Sequence, residues 1–411
     1  MTATWAGTHV FDAPRLVEAS TVEEVRGVVI AGGPVRALGT RHSFNDLADT
    51  AGTLVTVTGI PADPVLDEED REVTVGAGTR YGVLARWLDD RGWALHNLGS
   101  LPHISIGGAI ATGTHGSGHG NGGLATAVRR LEYVDATGEL AVAGIDDPDF
   151  AALVVGLGAY GIVTRVTLAI EPSYRMRQDI YSRLSWDAFL ADPDAVTGSA
   201  YSVSVFTTWD GDEVGDVWRK ARVGDDDPPD VWLDARRRTE IASLVGSTEN
   251  LTEQLGVVGA WCDRLPHFRL DGTPSNGDEI QSEYFVARSD ATAALTAVRQ
   301  LAADIRPHLL VSELRTVRAD ELWLSGAYGR ETLGIHFTWA NRPDAVRRLL
   351  PTIEGALAPF GARPHWGKWH AMTADAVAAV VPRLADARAV FARLDPEARF
   401  ANSHVRRLGV R

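Results

Sequence analysis

LGSLPHISIGGAIATGTHGSGHGNGG, residues 98–123, is the stretch from which the architecture of this chain is predicted. Nine of its residues are glycine, a density that suits a backbone approaching a ligand closely or adopting positive φ. Short donors stand between the glycines: Ser105, Thr112, Thr114, His115 and Ser117. Because small residues with free backbone N–H groups form anion-binding concavities, the stretch predicts a loop around the pyrophosphate of a nucleotide cofactor. The alternative is a flexible surface loop.

Composition limits the classes of function. A chain of 411 residues suggests two domains, and 40 basic against 54 acidic residues give a net charge of −14. Without a long basic run, this balance argues against nucleic acid, anionic membranes and strongly acidic substrates as partners. The single cysteine, Cys262, excludes an internal disulfide and a cysteine-based zinc site. The sequence has neither a signal-peptide pattern nor a membrane-spanning apolar run, so we expect a cytoplasmic protein.

The first part of the chain alternates short strands and helices. Thr21 caps a predicted helix over 21–30, with Glu24 completing a capping box. Two glycine clusters, 76–82 and 156–161, resemble dinucleotide fingerprints. The first has its third glycine one place late, and the second is followed by a strand at 162–170 instead of a helix. A Rossmann domain is therefore not expected. Other predicted elements are strands at 35–38, 54–57 and 72–75, a helix through Trp87 and Leu88, a hairpin of 129–134 with 139–142, and a helix at 150–155.

The second part has another composition. After Glu171 and Pro172 the chain predicts an α+β domain with a largely antiparallel sheet, and its 223–231 loop is acidic. Its predicted strands are 200–209, 309–316 and 332–339, and its predicted helices are 290–305 and 343–357. From Thr373 onward the chain is predicted to be helical, divided or capped at Pro382.

Alternation along two predicted strands identifies candidate site residues. Glu313 and Arg315 share one face of their strand, where they form either a functional pair or a structural ion pair on a solvated face. His336 and Thr338 share one face of the next strand, opposite Ile335, Phe337 and Trp339. That arrangement predicts a face that lines a cavity.

The remaining candidates are histidines and a lysine. His42 lies in a polar turn after a predicted buried strand, and Lys368 lies among tryptophans in His365–His370, where a lysine is costly unless it meets a charge or an oxygen. His103, His115 and His119 have spacings that fit no common metal site, so no metal is expected. No G-x-S-x-G elbow indicates a serine hydrolase.

Together, four spaced motifs resemble the vanillyl-alcohol-oxidase-type flavoproteins, in the branch of alditol oxidases and aldonolactone oxidases. The motifs are GTRHS at 39–43, ATGTHGSG at 111–118, ELR at 313–315 and HWGK at 365–368. Leu101-Pro102-His103-Ile104-Ser105 favours the alditol-oxidising members. The residue at Gly367 departs from the lactone-oxidising relatives but leaves the lysine undisturbed.

The resemblance implies a two-domain α+β flavoprotein. Its FAD-binding domain would be 1–171, with the tail 377–411 returning to it, and a substrate-binding cap domain with a large antiparallel sheet would be 172–376. FAD would be joined covalently through His42. The other residues that the resemblance assigns to cofactor binding are Gly39, Thr40, Arg41, Ser43, Asn45, Gly107, Gly108, Thr112, Gly113, Thr114, His115, Gly161, Ile162, Thr338 and His365.

The resemblance also implies a reaction. The terminal primary alcohol of a polyol would pass hydride to flavin N5, and O2 would be reduced to H2O2. Lys368 or His336 would act as the base, and Arg315 would offset negative charge on the flavin. Glu313 and Ser105 would bind neighbouring hydroxyls of the substrate.

Two other functions remain open. An aldonolactone oxidase or dehydrogenase would have the same fold and cofactor. A catalytically silent flavin- or sugar-binding protein would not need Glu313, Arg315, His336 and Lys368 together. The polyol and O2 are the expected partners of a monomer.

Overall fold

The computed structural model of the protein describes residues 2–225, 229–272 and 277–411. Within them the strands form a three-stranded, a five-stranded and a ten-stranded sheet, and Trp93–Ala94 pairs with Glu171–Pro172. Helices combined with a large antiparallel sheet confirm the predicted α+β class. Part of the predicted acidic loop, residues 226–228, lies outside the described residues.

The small sheet is parallel. Its strands, in spatial order, are Arg15–Glu18, Thr53–Thr56 and Val35–Leu38. Helix Val22–Ile30 begins as predicted, because Thr21 Oγ1 accepts a hydrogen bond from the Glu24 backbone N–H. The Glu24 carboxylate accepts from the backbone N–H of Ser20 at 2.7 Å.

The five-stranded sheet is antiparallel. Its strands, in spatial order, are Val65–Asp67, Glu72–Gly76, Ile162–Ala169, Val128–Val134 and Leu140–Gly144. The associated helices are Tyr81–Asp89, Ile106–Ala111 and Phe150–Leu153. Because strand Ile162–Ala169 follows the second glycine cluster, the expected absence of a Rossmann motif there is confirmed.

The ten-stranded sheet forms the second half of the molecule. Nine strands lie side by side in the order Val231–Trp232, Ala235–Arg237, Arg175–Ser185, Glu213–Arg222, Ser202–Thr207, Leu309–Val317, Thr332–Ala340, Glu279–Ala287 and Arg363–Pro364. Strand Gly259–Ala260 pairs with Arg175–Ser185 at one edge. All of these pairs are antiparallel, as predicted.

One face of this sheet is packed against helices. Ile335, Phe337 and Trp339 are fully buried there, with the rings of Phe337 and Trp339 stacked 5.0 Å apart. Helices Ala291–Arg299 and Pro343–Leu357 contribute to the same core. Packing on this face confirms the predicted alternation and leaves His336 and Thr338 on the opposite face.

The predicted helix over 290–305 is interrupted. It is observed as two helices, Ala291–Arg299 and Ala302–Ile305, separated by a turn at Gln300 and Leu301. Leu301 and Ala302 pack against the core of the large sheet. The other helices of this region are Trp186–Ala191 and Pro193–Thr197. Single 3₁₀ turns occur at Leu124–Ala127, Trp261–Asp263, Arg288–Asp290 and Ala358–Phe360.

The C-terminal tail is helical and returns to the first half of the chain. Its helices are Ala374–Val380, Leu384–Leu394 and Ser403–Arg407, with Pro382 between the first two as predicted. Phe391 is fully buried and stacks 5.9 Å from Tyr160. Among the described residues, no helix combines the length and apolar character needed to cross a membrane.

Candidate active site

A cavity of about 700 Å³ lies between the glycine-rich stretch and the open face of the large sheet. Its size falls within the range of cofactor and ligand sites. The predicted site residues that line it are Gly39, Thr40, Arg41, His42, Ser43, Asn45, Ser105, Gly107, Gly108, Thr112, Thr114, His115, Gly161, Glu313, Arg315, His336, Thr338, His365 and Lys368. The fold therefore brings together motifs that are more than 300 residues apart in the sequence.

Two predicted cofactor residues lie outside the cavity lining. Gly113 adopts φ +70 in the turn after helix Ile106–Ala111, a conformation that favours glycine. Ile162 begins its strand fully buried in the core beside Val134. Their neighbours Thr112, Thr114 and Gly161 do line the cavity, and the cofactor contacts of Gly113 and Ile162 stay predictions.

His42 lies in the turn that follows strand Val35–Leu38. Arg41, just before it, has φ +66, and the imidazole stacks on Trp5 at 5.3 Å. Neither ring nitrogen of His42 has a hydrogen-bond partner among the described residues. Burial lowers the pKa of His42 to about 4, and the charges of His103 and Arg80 act in the same direction. The ring is therefore a neutral imidazole with an available lone pair.

Glycine allows close approach at the base of the cavity. A Cβ on Gly39 would lie 2.5 Å from Ser105 Oγ, and one on Gly107 would lie 3.0 Å from the Ala77 side chain. Thr40 Oγ1 accepts from the Ser105 backbone N–H at 3.0 Å, which joins the two glycine-containing segments. The two glycine-containing segments, around Gly39 and Gly107, leave room for a ligand close to the backbone and carry hydroxyl donors beside it. Together with the His42 nitrogens, which have no partner among the described residues, they fit an extended flavin nucleotide.

The part of the cavity that faces the large sheet is built on neighbouring strands. Glu313, on Leu309–Val317, is in register with His336, on Thr332–Ala340. Although burial opposes ionisation, Arg315 and His267 hold the pKa of Glu313 well below its usual range. The Glu313 and Arg315 side chains are both buried, which excludes the alternative of a solvated surface pair.

Glu283 is the central carboxylate of the site, and sequence reasoning did not identify it. It accepts hydrogen bonds from Lys368 Nζ at 2.6 Å, Arg315 Nη2 at 2.9 Å and His115 Nε2 at 3.1 Å. Burial opposes its ionisation, but these positive charges hold the pKa of Glu283 well below its ordinary value. The period-two spacing of Glu279, Gln281 and Glu283, with Ile280, Ser282 and Tyr284 between and after them, was the signal available in the sequence.

His336 and Lys368 differ in their surroundings. Burial, reinforced by the charge of Lys368, lowers the pKa of His336 well below its ordinary value. Neither His336 nitrogen has a hydrogen-bond partner among the described residues, and Nδ1 lies 3.8 Å from Glu313 Oε2. Burial also lowers the pKa of Lys368, but Glu283 opposes that effect. The imidazole of His336 is therefore neutral and without a hydrogen-bond partner among the described residues, whereas Lys368 Nζ is paired with Glu283.

The histidines considered for a metal are separated in the fold. His103 contacts the Leu270 carbonyl at 2.9 Å, and His119 contacts Thr197 Oγ1 at 2.9 Å. Possible ligand atoms of His115, Glu283 and His365 do lie within 4.8 Å of one another. Both oxygens of Glu283 already accept from cationic side chains, so the cluster favours an internal ion-pair network.

Asn45 has a specific role in the architecture. Its side-chain N–H groups donate to the carbonyl oxygens of Trp366 at 2.8 Å and Lys368 at 2.9 Å. Asn45 thus ties the turn that carries His42 to the segment that carries Lys368.

Comparisons with known proteins agree with this site. Residues 13–144 match a family described as FAD binding domain, and residues 277–408 match D-arabinono-1,4-lactone oxidase. Cholesterol oxidase from B. sterolicum has the same fold, with a TM-score of 0.78 at 15% identity, covering 99% of this chain and 96% of that one. Together with the full-length relatives described next, the family matches define an FAD-dependent oxidoreductase of the vanillyl-alcohol oxidase type.

Two relatives that match nearly the whole chain identify the family within this class of flavoproteins. The chain is 41% identical to alditol oxidase from Streptomyces sp. (strain IKD472 / FERM P-14339), over 98% of both chains. It is 27% identical to L-gulono-1,4-lactone dehydrogenase from Mycobacterium tuberculosis (strain ATCC 25618 / H37Rv), again over 98% of both. The chain belongs to the alditol oxidase family.

Proposed function

We propose that the protein oxidises the terminal primary alcohol of an alditol, such as xylitol or sorbitol, to the aldose, with reduction of O2 to H2O2. FAD, when bound, supplies the chemistry of accepting a hydride and passing the electrons to O2. The observation that carries the proposal is the imidazole of His336, which has no hydrogen-bond partner among the described residues and lies in register between Glu283 and Glu313, in the same cavity as the flavin-binding motifs. The 41% identity to an alditol oxidase supports the substrate class.

His336 is the base in this proposal. Its neutral imidazole accepts the hydroxyl proton at Nε2, since Nδ1 is the nitrogen near the Glu313 carboxylate. Glu313 then stabilises the imidazolium that forms. We assign the base to His336 rather than to Lys368, because Lys368 Nζ is already engaged by the Glu283 carboxylate.

Lys368 and Arg315 provide positive charge. Lys368 Nζ donates to the oxygen of the reacting alcohol and so lowers the cost of removing its proton. The Arg315 guanidinium, held by Glu283, compensates the negative charge that accumulates at the cofactor end during turnover.

Glu313 and Ser105 orient the substrate. A carboxylate and a hydroxyl on opposite walls of the cavity suit adjacent hydroxyl groups of a polyol. Holding these hydroxyls fixes the terminal carbon and supplies the orientation that the reaction requires.

His42 is the attachment point of the cofactor in this proposal. Its neutral ring nitrogen, which has no hydrogen-bond partner among the described residues, would hold the flavin through a covalent bond to the 8α carbon. Acid precipitation tests the bond: yellow colour stays in the wild-type pellet and leaves the pellet of His42→Ala. Colour in the wild-type supernatant would contradict the covalent linkage and leave FAD binding intact.

The other cofactor contacts and the domain division extend the same proposal. Thr338 and His365 face the flavin, and the lining residues from Gly39 to Ser43 and from Gly107 to His115 surround the pyrophosphate. Residues 1–171 with 377–411 form the FAD-binding domain, and 172–376 form the cap. Burial of Phe391 beside Tyr160 supports the return of the tail.

A second candidate is oxidation or dehydrogenation of an aldonolactone, which the match of residues 277–408 favours. Peroxide formation by the purified holoprotein with xylitol, sorbitol and L-gulono-1,4-lactone separates the two. Alditol turnover at least tenfold faster than lactone turnover is expected. Turnover of the lactone alone would replace the first candidate with the second.

A further inference from the structure

A lysine is buried behind the site, outside the cavity lining. Lys220, on strand Glu213–Arg222, is 1% exposed. Its Nζ donates to three acceptors: the carbonyl oxygens of Leu265 at 2.5 Å and Pro266 at 3.0 Å, and Nδ1 of His267 at 3.0 Å. Three acceptors match the three donors of an ammonium group. Burial lowers the pKa of Lys220 to about 7, while the charge of Glu313 and the three acceptors favour its ammonium form.

Lys220 determines the tautomer of His267. An ammonium group can only donate, so His267 Nδ1 accepts and the ring proton of the neutral imidazole lies on Nε2. His267 Nε2 is 2.8 Å from Glu313 Oε1, so it donates to that carboxylate. Edge-on contacts with Phe206 and Trp218, at 5.5 and 5.2 Å between ring centres, hold the imidazole in this orientation.

The chain of bonds makes the two oxygens of Glu313 inequivalent. Oε1 is engaged by His267 and lies 3.7 Å from Arg315 Nε. Oε2 is 3.8 Å from His336 Nδ1, with no hydrogen bond from that nitrogen. Oε2 is the oxygen left to accept a bond from a ligand in the cavity.

We propose that Lys220 and His267 are positioning residues that orient Glu313, so that its Oε2 receives a substrate hydroxyl. The inference rests on the proposed role of Glu313 in substrate binding. Neither residue transfers a proton or touches the reacting atoms, since both act through the carboxylate.

A double-mutant cycle on the FAD-loaded enzyme tests this coupling. In the wild-type background, Lys220→Met is expected to lower kcat/KM for xylitol about 10-fold. In the Glu313→Gln background the same substitution should lower kcat/KM by less than about 2-fold, because a positioning effect requires the carboxylate. His267→Gln, whose amide can still donate to Glu313, should lose less than His267→Leu. Arg363→Met is the matched control, because the hydrogen bonds of this buried cation within the described part of the chain go to backbone carbonyls outside the cavity. Equal losses in both Glu313 backgrounds would overturn the proposal.

A spectroscopic measurement keeps the inference testable if Glu313→Gln is inactive. In ¹⁵N-histidine NMR spectra, the His267 signals, assigned by their absence in His267→Gln, should report a neutral ring protonated at Nε2. Lys220→Met should change that pattern. A ring protonated at Nδ1 in the wild type would overturn the inference. Failure of the proposed function is distinguishable, because wild-type enzyme would then oxidise no alditol, and the cycle would be measured with L-gulono-1,4-lactone.

Discussion

Lys368 Nζ lies 2.6 Å from Glu283 Oε2, and this contact connects the HWGK segment to strand Glu279–Ala287. Glu283 also accepts from Arg315, so one buried carboxylate compensates two cations. Removing one member of a buried ion pair leaves an uncompensated charge, which costs about 3–5 kcal/mol.

Glu283→Gln should therefore affect both stability and activity. We expect unfolding to be easier by about 3 kcal/mol and kcat/KM to fall about 10- to 100-fold, since two charged hydrogen bonds are weakened. Chemical denaturation and peroxide assays measure the two effects. Glu354→Gln is the control. Glu354 accepts a hydrogen bond from Tyr284, which lies next to Glu283 on the same strand but points to the opposite face of the sheet. Equal effects of the two substitutions on activity would contradict the role of Glu283.

Substitution of the proposed base separates the roles of His336 and Lys368. His336→Asn should slow flavin reduction by xylitol about 100- to 10,000-fold, the usual contribution of a general base. Lys368→Met should slow it less, because it removes a donor and not the proton acceptor. Anaerobic stopped-flow absorbance measures both rates. A larger loss in Lys368→Met would make the lysine the base.

Asn45→Ala tests the link between the flavin turn and the lysine segment. Without the Asn45 amide, the carbonyl oxygens of Trp366 and Lys368 lose their hydrogen-bond donor. Lys368 should then be held less firmly, and kcat should fall about 10-fold. The ratio of flavin to protein absorbance should stay unchanged. Loss of flavin together with activity would show that Asn45 acts on cofactor binding instead.

Acid should destabilise the folded protein before its carboxylates titrate. Burial, together with the charge of Lys220, lowers the pKa of His267 from 6.5 to about 4. Between these two pH values His267 binds a proton in the unfolded chain but not in the native state. The free energy of unfolding is therefore highest above about pH 6.5 and decreases as the pH falls toward 4. His267 alone accounts for about 3 kcal/mol of this decrease. Melting temperatures between pH 7 and 4 measure the slope. His267→Gln should have a shallower slope, and an unchanged one would contradict the assignment.

Local motifs were predictable from the sequence, whereas long-range pairings were not. Gly39–Ser43 and HWGK at 365–368 are contiguous, so their chemistry is visible in a single segment. Glu283 meets His336 only through the register of two strands, and His267 meets Glu313 from a loop. Sequence periodicity gives the face of a strand but not its partner. The domain division, the monomeric state and the cytoplasmic location stay predictions.

The most direct test is to mix the purified holoprotein with xylitol in the absence of O2 and follow flavin absorbance near 450 nm. The proposed function predicts rapid bleaching, followed on admission of O2 by recovery of the absorbance and formation of H2O2. His336→Asn should bleach far more slowly while holding the same amount of flavin. A flavin that stays oxidised in wild-type protein with xylitol and sorbitol would contradict alditol oxidation.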